Sequence, residues 1–320
     1  MKVIPFDAEI VKAESCEKLV EIIGRTCYKS EDKVTEESYR KFLHNLITRK
    51  HFAMLEHGRI TFQVTFEEES DMVKFDCKLN AEIINYAIPK VYTYIDWDST
   101  SLYMNVSLSH VCNTRYNNTV LQQCTLKCYA DCGEWRTTKH KVDMLDNHSV
   151  TIRPILDESE LDELPERVRR QFKHISIKFI CDRGVSHELV RHRFAIAQES
   201  QRYCKYGSGK FGIDILFVLP ERILNDTSDT IGERELVLHA FKDAEAVYLK
   251  LLELGQAPQS ARRVLPNATK TEVILTANLD EWIHFFDMRY RGTTGAPHPD
   301  MIEVATIAHN KVEKEYGYAL

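Results

Sequence analysis

Residues 174–206 join an alternating strand pattern directly to a compact cluster of charge, and any fold for this chain has to house that junction. In HISIKFICDRG, Ile175, Ile177, Phe179 and Cys181 fall on alternate positions, the period of a strand with one buried face. GVSHELVRHRFAIAQESQRYCKY (184–206) then sets His187, Arg191, His192, Arg193 and Arg202 among Glu188, Gln198, Glu199 and Ser200. The formal net charge of the whole chain is -6, so this local positive charge runs against the background. Guanidiniums so close repel one another unless something anionic lies between them, and the Arg fork matches phosphate oxygens two at a time. The plainer alternative is a solvated basic face paired with the local Glu residues.

The 320 residues allow one large domain or two smaller ones with a substantial core. With 43% hydrophobic and 28% charged residues, the composition is that of a soluble globular protein. A negative net charge argues against general binding to nucleic acid or a membrane surface. The opening MKVIPFDAEIVKAESCEK lacks the unbroken apolar core of a signal peptide, and no apolar run is long enough to cross a bilayer. Nine cysteines then read as free thiols of a cytoplasmic protein.

Along the chain, residues 2–12 read as a strand and Glu14 to Cys27 as a helix, with Cys16, Leu19, Val20 and Ile23 at helical spacing. Thr35 is expected to cap a helix reaching about Lys50, with Phe42, Leu43, Leu46 and Ile47 on its buried face. Ile60, Phe62, Val64 and Phe66 alternate as a half-buried strand. Residues from about 69 to 172 are the least legible and read as an insertion or subdomain in the single domain 1–320. Beyond the charged stretch, IDILFVLP (213–220) and TEVILTAN (271–278) read as strands. Glu233 to Gly255 reads as a helix whose apolar stripe is Leu236, Leu238, Ala240, Phe241, Ala244, Val247, Tyr248 and Leu251. PQSARRVLP and LDEWIHFFDMRY read as helices, and Pro299 opens the last one.

Several motifs carry competing readings. Gly207, Gly209 and Gly212 match a dinucleotide fingerprint, but a strand follows them where a helix should, so they read as a turn. Cys124, Cys128 and Cys132, with Cys112 and His140, have a spacing tolerable for zinc but equally that of buried thiols, and no metal is expected. Ser200 lacks the elbow or adjacent base of a nucleophile, and a hydroxyl donating to phosphate is the better functional reading. His51 and His57 stand at a helix end and a strand start, where capping or packing competes with a cofactor role. Arg262 with Arg263, and Arg289 with Arg291, lie among apolar residues, which disfavours a purely solvated role for either pair. With Arg191 and Arg202 they suit a small, multiply anionic ligand such as a nucleoside monophosphate.

Arg191-His192-Arg193 followed by Gln198-Glu199-Ser200-Gln201-Arg202-Tyr203 resembles the signature of the flavin-dependent thymidylate synthases. SHELV before it, the histidine block 51–57 ending in LEH, SARRVLP (260–266) and Asn278 ahead of the helix bearing Met288-Arg289 extend the likeness. Six residues separate Arg193 from Ser200 where the family pattern has seven, so the substrate loop is altered. The resemblance implies an α+β fold with a central, mostly antiparallel sheet packed by helices. It implies a homotetramer that methylates dUMP with methylenetetrahydrofolate, using FAD reduced by NADPH and no covalent protein–uracil bond. Carried across, Arg191, His192, Arg193, Gln198, Asn278, His284, His51 and Ala53 would meet FAD. Glu188, Arg191, Gln198, Glu199, Ser200, Gln201, Arg202 and Arg262 would meet dUMP. Arg289 would face the uracil and stabilise its developing charge. The altered loop leaves two alternatives: hydroxymethylation of a pyrimidine nucleotide, or a non-catalytic nucleotide- or flavin-binding protein.

Overall fold

The computed structural model describes residues 1–88, 90–112, 119–131, 150–155, 159–200, 206, 214–226 and 232–317. In chain order the strands are β1 (Lys2–Ile4), β2 (Asp7–Val11), β3 (Arg59–Phe66), β4 (Tyr92–Asp96), β5 (Ser101–Ser107), β6 (Val150–Pro154), β7 (His174–Asp182), β8 (Ala195–Gln198), β9 (Leu216–Val218) and β10 (Lys270–Asn278). Helices and antiparallel strands share the chain, so the fold is α+β. It divides into two compact units. One holds Met1–Lys12, Glu21–Ser38 and Ile175–Leu320; the other holds Ala13–Val20 and Tyr39–His174.

The first unit is built on the sheet β2-β7-β10-β8, in which β2 pairs with β7 and β10 with β8, both antiparallel. The alternation read from sequence at Ile175, Ile177, Phe179 and Cys181 is the buried side of β7. β10 is buried at every position, as an interior strand is, and its Val273, Ile274, Leu275 and Ala277 join the core while Lys270 and Glu272 are buried as charges. The helix Leu279–Arg289 follows it without a loop, because Asn278 and Glu281 form a capping box: Asn278 Oδ1 accepts from the Glu281 amide at 2.8 Å. Trp282, Phe285 and Phe286 are fully buried under this sheet, and Trp282 Nε1 donates to the Ile175 carbonyl at 3.0 Å. The helix Pro299–Tyr316 lays Met301, Val304, Ala305, Ala308 and Val312 on the same core, an i, i+3, i+4 stripe. Parallel strands β1 and β9 form a separate small sheet.

The second unit carries the antiparallel sheet β4-β5-β3-β6. β3 alternates as expected, with Ile60, Phe62, Val64 and Phe66 buried. Both neighbours of β3 come from the poorly legible stretch 69–172. The helix Glu69–Asn85 covers the sheet with Met72, Phe75 and Leu79.

Three expectations change. The strand 2–12 is broken at Pro5, which has no N–H to continue a ladder. The helix after Thr35 starts at Ser38, whose hydroxyl accepts from the Thr35 amide at 2.8 Å. In the helix Glu233–Glu253, Phe241 and Tyr248 are buried, but Leu236 and Val247 are 62% and 48% exposed, so the stripe is narrower than its periodicity implied.

Candidate active site

β7 delivers the charged stretch. At its end Asp182 turns inward to cap the helix Arg183–Leu189, accepting from the Val185 amide at 2.7 Å. Burial pushes the Asp182 carboxyl up to about 6. One turn further, Val185 and Leu189 bury, and the alternate face of the helix presents Glu188. The turn at 191–193 buries His192 and exposes Arg191 and Arg193 before β8 begins.

Glu188, His192 and Arg289 converge. Arg289 Nε donates to His192 Nε2 at 3.1 Å, and Nη1 donates to Glu188 Oε2 at 2.8 Å. An imidazole nitrogen that accepts is unprotonated, so the His192 proton sits on Nδ1. The surroundings agree. Burial first, then the charges of Arg289 and His284, pull His192 down to about 4. Phe285 fixes the ring edge-on at 4.9 Å. Arg289 is thereby held from two sides, yet its side chain keeps 20% accessibility and Nη2 has no protein acceptor among the described residues.

β8 and β10 bring together a second group. Val273 opposes Gln198, and the Glu199 amide donates to the Glu272 carbonyl at 2.9 Å, extending the pairing by one residue. Opposed residues share a face, so Glu199 and Glu272 put two carboxylates side by side. Lys270, two positions along β10 on that face, answers both: its ammonium lies 2.9 Å from Glu199 and bonds Glu272. Lys29 bonds Glu272 as well and comes within 3.8 Å of Glu199, from a backbone at φ 46° that a lysine rarely adopts. Glu199, Lys270 and Glu272 are all buried. Burial alone would lower the Lys270 pKa, but the Glu199 and Glu272 charges outweigh it and raise it. Burial would raise Glu272, and Lys270 and Lys29 bring it below its ordinary value.

Ser200 is tied next, its amide donating to the Cys27 carbonyl at 3.0 Å. Gln198 points to the opposite face, where its Nε2 is buried without an acceptor among the described residues; Thr271 Oγ1 is likewise buried without a partner among them. A buried donor left unpaired costs about 1–3 kcal/mol, which a ligand oxygen would recover.

The remaining expected residues are more dispersed. Arg262 is half-buried in the short 3-10 turn Arg262–Val264. Its neighbour Arg263 is exposed and donates to the Ser260 carbonyl, and Arg291 is an exposed partner of Asp287 at 2.9 Å. Only one arginine of each pair therefore lies among buried neighbours. His284 is exposed, and the Asn278 carbonyl oxygen is engaged in its cap. His51 and Ala53 belong to the other unit, at the exposed start of the short helix Phe52–Leu55. Gln201 and Arg202 lie outside the described residues, as do the three glycines, Cys132 and His140. Among the described residues no group of three or more His, Cys, Asp or Glu could hold a metal ion. Cys27 is buried and its thiol is pushed up to about 11, an inert setting for a nucleophile.

Arg183 escaped the reading of the sequence. Asp182 looks like its natural partner there, but the structure uses that carboxylate to cap the helix.

A family model described as thymidylate synthase complementing protein matches residues 9–67 and 128–316. Curated relatives named flavin-dependent thymidylate synthase match parts of the chain. That of Geobacter sulfurreducens is 37% identical over 121 residues, 37% of this chain and 49% of the relative. That of Corynebacterium efficiens is 34% identical over 148 residues, 41% and 53%. That of Pyrococcus furiosus is 36% identical over 113 residues, 34% and 43%. The chain thus spans about half the length of the curated relatives it matches. A solved UMP/dUMP methylase from Streptomyces cacaoi aligns over 98% of this chain and 93% of its own at 15% identity, with a TM-score of 0.40, too loose a likeness to assign a substrate. No helix among the described residues is long and apolar enough to cross a membrane.

Proposed function

This chain belongs to the thymidylate synthase complementing protein family, and from that membership we propose that it methylates dUMP to dTMP. The one-carbon unit comes from methylenetetrahydrofolate, and the reducing equivalents from NADPH by way of FAD. The observation that carries this reading is the convergence of Glu188 and His192 on the Arg289 guanidinium, whose Nη2 has no acceptor among the described residues.

The residues present fit a flavin dinucleotide. Arg191 and Arg193 are exposed without an acidic partner among the described residues, and the buried Gln198 amide lacks an acceptor. Such a donor-rich set suits pyrophosphate and ring carbonyl oxygens. FAD, when bound, supplies the hydride chemistry that no side chain can perform.

The chain's own contribution is positioning and charge. Arg289 faces the uracil and stabilises the negative charge that develops there, and preorganisation by His192 and Glu188 removes the need to reorient it at that moment. His192 stays neutral because burial beside Arg289 disfavours its proton, so it accepts from Arg289 and does not compete with it for the ring. Ser200, Arg202 and Arg262 hold the nucleotide phosphate, and Gln198 reaches base or flavin. Glu199 serves differently from its assignment by resemblance: its carboxylate is directed to Lys270, and it shapes the loop that carries Ser200. The stretch of about 69–172 completes the sheet around β3, and the part of it up to residue 127 lies outside the family match and forms the insertion. The enzyme acts as a homotetramer in the cytoplasm.

Incubating purified protein with dUMP, methylenetetrahydrofolate, NADPH and FAD, then weighing the nucleotide by mass spectrometry, tests the reading. Gain of a methyl group is expected. A product heavier by one further oxygen would replace methylation by hydroxymethylation. Unchanged dUMP together with a protein that takes up no flavin would remove the proposal.

A further inference from the structure

Arg183 follows the last residue of β7 and stands at the start of the helix that carries Glu188. Its side chain is half-buried. Among the described residues it makes no ion pair and no side-chain hydrogen bond, and Asp182 beside it is engaged with Val185. Its backbone is tied down: the Arg183 amide donates to the Asn267 carbonyl at 2.7 Å. Asn267 lies just past the turn Arg262–Val264, whose own carbonyl at Arg262 accepts from Leu265 at 3.1 Å. The two arginines are therefore carried by backbone segments bonded to one another.

Arg262 is half-buried too, and likewise has no acidic partner among the described residues. The pair repels. Burial first, and the Arg262 charge next, lower the Arg183 pKa from its ordinary value. Glu199 acts on Arg183 more weakly than Arg262 does, and that carboxylate is already bonded to Lys270. Two partly desolvated guanidiniums held near one another without a counter-charge are costly unless an anion completes them. The phosphate group is the natural occupant, since it accepts from two forks at once.

We propose that Arg183 and Arg262 together bind one phosphate group, and that Arg183 is thus a substrate-binding residue. The identification of that phosphate as the one on dUMP rests on the function proposed above.

Titration calorimetry on the FAD-loaded protein tests it, with dUMP and deoxyuridine as ligands, on wild type, Arg183→Gln, Arg183→Lys and Arg262→Gln. Thermal shift with inorganic phosphate is run alongside. Arg183→Gln is expected to weaken dUMP binding roughly 10- to 100-fold, the loss of a charge-assisted bond. Deoxyuridine, which has no phosphate, should bind both proteins equally. Arg183→Lys should fall between, keeping the charge but not the fork. Retained flavin absorbance shows that each variant is folded. Unchanged dUMP affinity in Arg183→Gln while Arg262→Gln loses it overturns the inference and leaves the function standing. An equal loss for deoxyuridine also overturns it, since the effect would then not be on phosphate. A wild type that ignores dUMP, but is stabilised by inorganic phosphate only when Arg183 is present, upholds the anion site and removes the proposed substrate. Response to neither ligand rejects both.

Discussion

Two sets of cations sit in the same unit and behave oppositely. Lys29 and Lys270 are matched by Glu199 and Glu272, two positive charges against two negative. Arg183, Arg191, Arg193 and Arg262 have no acid within ion-pair distance among the described residues. The matched set is internally neutral and offers a passing anion little attraction. What it does is hold backbone: it fixes where β8 ends and how Ser200 leaves it. The unmatched set fixes nothing in the fold and keeps its charge for a ligand. Partnering, more than position in the motif, separates the residues that shape this site from those that fill it.

The largest effect should come from breaking the matched set. Lys270→Met leaves Glu199 and Glu272 buried with Lys29 alone to answer them, and removal of one member of a buried pair costs about 3–5 kcal/mol. Urea denaturation should show that loss, and neutralising both carboxylates as well (Glu199→Gln, Glu272→Gln) should return much of it. A Lys270→Met protein within about 1 kcal/mol of wild type would mean that the network does not hold the loop. Next in size is Arg289→Ala. Removing a preorganised charge donor of this kind lowers kcat by roughly 100- to 1000-fold, and dTMP formation should fall accordingly with FAD still bound. Loss of flavin in that variant would move Arg289 from the uracil to the cofactor.

The same distinction explains how far the sequence could be read. β3 and β7 were visible because each announces itself locally, by alternation at Ile60 to Phe66 and at Ile175 to Cys181, and β10 and the helix Leu279–Arg289 were legible as the contiguous segments TEVILTAN and LDEWIHFFDMRY. The partners of β3 were not, since β5 and β6 are joined to it by pairings distant in sequence, such as Gln63 with Tyr103 and Arg153. Periodicity placed Leu236 and Val247 in the stripe of the helix Glu233–Glu253, but a 3.6-residue period tells which residues share a face and not how wide a face is covered. In the site, the motif order located Glu188, His192 and Ser200. It could not show that Glu199 turns to Lys270, nor that Asp182 is unavailable to Arg183, because both depend on which side chain reaches which partner first.

His192 offers a gentler way to probe the Arg289 knot. Unfolded, an imidazole takes its proton near pH 6.5; here it does so only near pH 4. Acid therefore favours the unfolded chain, and the stability from keeping His192 neutral is complete above pH 6.5 and lost as pH falls toward 4. The loss should be on the order of 1–2 kcal/mol once solvent screening is allowed for. Asp182 works in the opposite sense, since its raised pKa of about 6 lets the folded chain take that proton first. Comparing Tm between pH 7 and 4.5 for wild type, His192→Gln and Asp182→Asn separates the two. His192→Gln should flatten the acid side of the curve, and Asp182→Asn should steepen it. If His192→Gln leaves the curve unchanged, the imidazole is not the group that Arg289 excludes a proton from.

The smallest effect belongs to the arginines that the structure moved out of the site. Arg291 pairs with Asp287 four residues earlier on an exposed helix end, with 39% of each side chain accessible. Such pairs contribute about 0.3–0.5 kcal/mol and weaken further in salt. Arg291→Ala should therefore change neither dUMP affinity nor turnover, with a Tm shift of about 1–2 °C at most. Arg263→Ala should behave likewise, since Arg263 is exposed and its one described bond is to the Ser260 carbonyl in its own turn. A tenfold loss of dUMP affinity in either variant would contradict the division drawn here, because a residue without a place among the unmatched cations would be acting as one of them.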